Sequence, residues 1–325
     1  VSDFQLSDFQ IARELQSSDE RRVFSATCRG EQPVRLTVFS AEISQRAEFR
    51  RALKTDRAML SMLQHQSILK FLGSGESDGA LFFWTESCDY PRLSEHLEQG
   101  RAFSAEDVIE IGWQTCSALQ LAHNRGLAHG GLSIDNILLS EYLQVILTDF
   151  GVARWLTAAQ KEGQSSDSGA ALITVSALAS QQEVEKDLTD LAGILIRLLQ
   201  TSPDSTEPTE EGRASSKTLL DRLLTRFTSQ NPSQRPVSAR EFQGRLGEIL
   251  IGTDDDSMPL VDHRKSPGTS KRSIVVELFE TQSSSTPVSE QSSQSAGSAW
   301  RGQILPILIG LAIIAILFVL AELLF

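Results

Sequence analysis

Little in this chain can crosslink, and its charge does not suit a nucleic-acid partner. Its three cysteines, Cys28, Cys88 and Cys116, are odd in number and widely spaced, with no CxxC pair and no Cys/His cluster. That excludes a disulfide framework or a zinc site and suits a reducing compartment. Each is expected to be a small buried apolar side chain. Basic residues are outnumbered: 30 Lys and Arg face 42 Asp and Glu, for a net charge of −12. Such a balance offers phosphate backbones no basic footprint, so nucleic acid is not an expected partner. Repeats are missing too. SDFQ occurs at 2–5 and 7–10 and nothing longer recurs, which removes solenoids and propellers. The first residues lack a secretory-leader pattern.

One long hydrophobic run is present. Residues 304–321 (ILPILIGLAIIAILFVLA) are 18 positions without a charge, and Leu323–Phe325 extend the run past Glu322. A helix needs about 20 apolar residues to cross a bilayer, so 303–325 is expected to be a transmembrane helix. Arg301 precedes it, with Arg264, Lys265, Lys271 and Arg272 further back, and no Lys or Arg follows. The positive-inside rule then places the N-terminal bulk in the cytoplasm, with one membrane pass. Residues 252–302 are expected to be a disordered Ser-rich linker: 281–298 contain eight serines and almost no large apolar side chain, too little to bury. Within it SIVVELF (273–279) is either a docking strand or linker.

Residues 1–251 form the folded part. Phe9, Ile11 and Leu15 alternate loosely. Val23–Ala26, Val34–Phe39 and Ala80–Thr85 are strand-like. Ser44–Leu63 has helical periodicity through Phe49, Leu53, Leu60 and Leu63. Helices are expected at Ala105–Arg125, Lys186–Gln200, Lys217–Thr228 and Ala239–Ile251. Strands first and helices afterwards indicate an α+β chain with segregated lobes.

Asp149-Phe150-Gly151 in VILTDFGVAR, the stretch HNRGLAHGGLSIDNILL whose Asn136 lies thirteen residues before Asp149, NPSQRP at 231–236, and Asp187 at the head of a long helix occur in a fixed order. Together they resemble the protein kinase family, in particular bacterial eukaryotic-type Ser/Thr kinases, over roughly residues 9–250. The resemblance implies a two-lobed fold, with a small antiparallel β-sheet lobe over 1–87 and a helical lobe over 88–251. It also implies ATP and magnesium as cofactors, with Asn136 and Asp149 as candidate metal and nucleotide ligands. His129, Phe150 and Leu60 match the family's stacked internal spine, which Asp187 anchors.

Against that pattern the chemistry is depleted. Phosphoryl transfer needs held phosphates, bridging magnesium and a carboxylate to orient the attacking hydroxyl. The three glycine positions of the phosphate cover fall on Gln16, Ser18 and Arg21. The V-A-I-K strand reads Val34-Arg35-Leu36-Thr37, so Thr37 stands for the lysine, and Asp56 aligns with the helix Glu that would pair with it. The HRD triplet reads His129-Gly130-Gly131: Gly131 replaces the base, Gly130 the Arg, and Ser133 the catalytic-loop Lys. The Glu that would pair with Arg235 is missing at Gln181, and Thr201–Lys217 is short for the segment that would carry a substrate-docking helix. Arg21, Arg22 and Arg35 are expected to be solvated surface cations.

Three readings follow. The leading one is a membrane-anchored, catalytically inactive pseudokinase, a scaffold or allosteric regulator whose partner is a true kinase or a membrane-proximal signalling protein. The second is a divergent active Ser/Thr kinase using Arg35 or Arg21 for phosphate and Asp135 as base. The third is an interaction module that binds no nucleotide.

Overall fold

A computed structural model of the chain describes residues 4–162, 179–202, 215–229, 231 and 234–251. These fall within one compact unit, Val1–Val261. The expected transmembrane helix and linker lie outside the described residues. Among the described residues no helix is long and apolar enough to cross a membrane.

The first lobe is a five-stranded antiparallel sheet. Its strands are β1 (Phe9–Ser17), β2 (Arg21–Cys28), β3 (Gln32–Phe39), β4 (Phe71–Ser77) and β5 (Ala80–Glu86), in the order β1-β2-β3-β5-β4. Strand alternation sorts β3 into two faces. Val34 and Leu36 join Phe9, Phe24, Phe82 and Trp84 in a small outer core. Arg35 and Thr37 therefore turn to the opposite, inner face. β4 (FLGSGES) is not strand-like in sequence, and its glycines explain why it works. A Cβ on Gly73 would come within 2.4 Å of the Trp84 ring, and one on Gly75 within 2.5 Å of Phe82. The aromatic side chains of β5 cover the places where β4 lacks side chains.

The helical stretch read as Ser44–Leu63 is two helices, α1 (Ala41–Gln45) and α2 (Ala47–Ser61). Arg46 between them is extended (φ −70°, ψ 126°), and its guanidinium is held by Glu42 at 2.7 Å and by the Ala159 carbonyl at 3.0 Å. α2 buries Phe49, Ala52, Leu53, Asp56 and Leu60, the three- and four-residue spacing of an amphipathic helix.

The second lobe comprises α3 (Leu93–Glu98), α4 (Ala105–Asn124), the hairpin β6 (Ile137–Leu139) and β7 (Val145–Leu147), α5 (Val152–Glu162), α6 (Gln181–Leu199), α7 (Ser216–Phe227) and α8 (Ala239–Ile251). α4 is its axis, packed against α6, α7 and α8, with Val108, Ile109, Ile111, Leu119 and Ala122 fully enclosed. Its start is fixed by a capping box, Ser104 with Asp107, and α6 begins the same way, Ser180 with Glu183. Each such pair satisfies two backbone donors that the first turn leaves open. That cap explains why α6 starts five residues before the expected Lys186.

Candidate functional site

The two lobes meet at a cleft roofed by the inner face of β2 and β3. Its other side is formed by the segment Ser87–Arg92, Glu95 of α3 and Leu138 of β6. The Asn136 carbonyl accepts the Thr148 N–H at 2.9 Å, which brings Asn136 beside the run Thr148-Asp149-Phe150. The spine residues assemble as expected: the His129 and Phe150 rings are 4.8 Å apart, and Leu60 and Phe150 line one small internal void. Asp187, fully buried, accepts the His129 and Gly130 N–H groups at 2.8 Å each and bonds His123 Nε2 at 2.9 Å. Its carboxylate thus shapes the loop that carries Gly131.

Asp149 adopts φ +66°, a left-handed conformation that Asp and Asn tolerate better than other side chains. Its carboxylate receives Arg21 Nη2 at 2.9 Å, and the two side chains are only 4% and 19% exposed. Burial alone would push this carboxyl up. The Arg21 and Arg35 guanidiniums and the Arg21 hydrogen bond outweigh burial and hold it below the usual carboxylate range. Arg21 is therefore not a solvated cation but one half of an inter-lobe ion pair.

Arg35 corrects the expectation of exposure more sharply. It is 7% exposed, on the wall of the cleft, with Nη2 donating to Gln16 Oε1 at 3.3 Å. Burial pushes its pKa down, partly opposed by Asp149. The signal was legible: the V-A-I-K alignment that puts Thr37 at the lysine puts Arg35 at the alanine, a large cation at a small apolar position. Arg22 lies over the Phe24 ring at 5.5 Å. Thr37 is 1% exposed, and its hydroxyl has no hydrogen-bond partner among the described residues.

Asp56 does have partners, though not on β3. Trp155 Nε1 donates to its Oδ2 at 2.7 Å, and Arg154 pairs with its other oxygen. Burial raises its pKa, against the pull of Arg154 and Trp155. Both partners come from α5, a helix not expected from the sequence. Val152, Trp155 and Ala159 recur at helical spacing there, and Trp155 packs edge-on to Phe83 with ring centres 5.8 Å apart. The stretch VARWLTAAQ holds three alanines, a leucine, an arginine and a glutamine, all good helix formers.

Gly131, at the place of the missing base, has the first residues of α5 against it. A Cβ added there would lie 2.6 Å from the Ala153 Cβ. Asn136 Nδ2 donates to the Gly131 carbonyl at 2.8 Å, tying the loop down. Ser133 accepts the Asp135 N–H at 3.3 Å. Asp135 itself is exposed. Cys88, expected to be buried, is half-buried and lines the cleft, whereas Cys28 and Cys116 are buried. Arg235 donates to the Ser229 carbonyl at 2.8 Å.

Whether magnesium fits can be judged from the donors. The ion takes octahedral oxygen ligation, usually through one or two carboxylates and the substrate's phosphates. Of the two candidates only Asp149 is a carboxylate, and the Arg21 guanidinium already sits on it. Among the described residues no cluster of three or more His, Cys, Asp or Glu side chains could hold a metal. As placed, Asn136 and Asp149 do not fit a magnesium site.

The sequence matches the family model described as protein tyrosine and serine/threonine kinase over residues 5–185. It is similar to a probable serine/threonine-protein kinase PknB of Lactococcus lactis, 28% identical over 142 residues, 43% of this chain and 23% of that protein. A probable serine/threonine-protein kinase of Clostridium perfringens is 23% identical over 246 residues, 70% of this chain and 36% of that protein. The chain thus spans well under two thirds of these relatives' length. Among solved structures, the PknI kinase domain of Mycobacterium tuberculosis superposes with a TM-score of 0.56 at 23% identity, over 75% of this chain and 96% of that domain. At that identity the likeness establishes the two-lobed fold.

Proposed function

The chain belongs to the protein tyrosine and serine/threonine kinase family, and on that premise we propose that it is a catalytically inactive member acting as a scaffold or allosteric regulator. One observation carries this reading: the site of the general base is a glycine with α5 packed where a side chain would start. A general base is typically worth 10²–10⁴ in rate, and here there is neither the carboxylate nor room for it. The pairing of Arg21 with Asp149 adds a second obstacle by setting a fixed cation where the family's magnesium would bind. The same pairing favours the variant of this reading in which magnesium-ATP does not bind at all.

The partner on this reading is a true kinase or a membrane-proximal signalling protein. Residues 303–325 would hold the module at a membrane with its folded part in the cytoplasm, raising its effective concentration there. The test is phosphate incorporation by the full 325-residue chain, into itself and into a generic acceptor protein, with ATP and magnesium or manganese. No incorporation above the no-enzyme control is expected. Incorporation that disappears in Asp149→Ala would overturn the proposal.

A further inference from the structure

Arg35 is a buried cation whose bonding is incomplete. It lies on the inner face of β3, with Ser25 of β2 and Thr85 of β5 as its strand neighbours. Among the described residues its one hydrogen bond to a side chain is the 3.3 Å contact with the neutral Gln16, and its Nε has no partner there. The nearby Asp149 carboxylate is bonded directly to Arg21, so one negative charge serves two guanidiniums. Two further buried donors on the inner side of β2 and β3, Arg21 Nη1 and Thr37 Oγ1, also have no partner among the described residues. Leaving a buried charge half-satisfied costs free energy that a bound counter-charge would recover.

Arg35 borders a real space. The cleft has a volume of about 280 Å³ and is lined also by Gln16, Ser25, Cys88 and Leu138. Arg13, Arg35 and Arg92 face it against Asp89 and Glu95, and Arg92 is already matched to Glu95 at 2.7 Å. The positive excess sits at the buried end. A guanidinium is a rigid planar fork matched to the oxygens of phosphate and carboxylate, and its charge supplies what a metal ion would otherwise bring.

We propose that this cleft binds a small phosphate- or carboxylate-bearing molecule on Arg35 without a divalent metal. The site differs from a magnesium-nucleotide site in that its counter-charge is built into β3. It stands whether or not the chain transfers phosphate, because it needs neither Gly131 nor the metal ligands.

The experiment is calorimetric titration of the full chain with pyrophosphate, AMP and succinate, in EDTA and at constant ionic strength. Saturable one-to-one binding of at least one of them is expected, and the arm that binds identifies the anion. Arg35→Gln should weaken it roughly tenfold or more, the scale of a lost charge-assisted hydrogen bond. Ser25→Glu is the second variant. Ser25 faces Arg35 across the strand pair, so the new carboxylate should take the ligand's place, abolish binding and raise the melting temperature. The proposal fails if none of the three anions gives saturable heat, or if both variants bind as the parent chain does.

Discussion

Gly131 and Ala153 are so close that a Cβ on the glycine would stand 2.6 Å from the alanine Cβ. The loop that carries Gly131 and the helix that follows Asp149 are therefore fitted to one another. Replacing Gly131 by Asp would not restore a catalytic loop; it would collide with the first turn of α5.

That contact gives a stability prediction. Gly131→Ala should lower stability by about 1–3 kcal/mol, the range for overpacking a close contact. Adding Ala153→Gly removes the clash, and the double variant should recover most of the loss beyond the roughly 1 kcal/mol that glycine costs inside a helix. Denaturant unfolding of the parent, both singles and the double measures the coupling. Additive single effects would show that the two residues do not touch.

Asp56 joins α2 to α5 through Trp155 and Arg154. Trp155→Phe keeps the ring but removes the N–H, so it should cost about 1.5–3 kcal/mol, the range for hydrogen bonds to charged groups. Arg154→Met leaves a carboxylate buried with only the indole, and about 3–5 kcal/mol is expected. With Asp56→Asn as the background, both penalties should shrink. Unchanged penalties in that background would mean that neither bond matters to stability.

The half-buried His65 and the buried His129 set an acid limit. His65 accepts the Ser67 N–H at 3.0 Å on Nδ1, an acceptor lost on protonation, and burial holds its pKa below the ordinary value. Burial does the same for His129, against the pull of Asp187. Their folded pKa values lie below the unfolded ones, so their stabilisation is present above about pH 6.5 and is lost as pH falls through the folded values. Asp149, held low, keeps its contribution until lower pH; Asp56, held high, acts with the opposite sign. Melting temperature should drop as pH falls below about 6.5, and less steeply in His65→Gln, where Asp56 and Asp149 are unchanged. Parallel slopes would remove His65 from the explanation.

Much of this protein was legible in the amino-acid order. Period-two and period-3.6 apolar patterns placed β2, β3, β5, α4, α7 and α8 within a few residues, because burial of one face is a local property of spacing. Set against the family pattern that it resembles, the sequence also marked Thr37, Asp56, Gly131 and Ser133 as departures. The tertiary structure alone decided where the remaining charges went. Arg21 and Asp149 lie 128 positions apart and Asp56 and Trp155 lie 99 apart, and no local pattern specifies pairing over such distances. Nor does spacing separate an arginine in solvent from one sealed under a sheet. β3 puts Arg35 and Thr37 on one face, but only the packing of the second lobe beneath that face makes it an interior. The result is a buried Asp149 carboxylate paired with Arg21 and a cleft wall that carries Arg35.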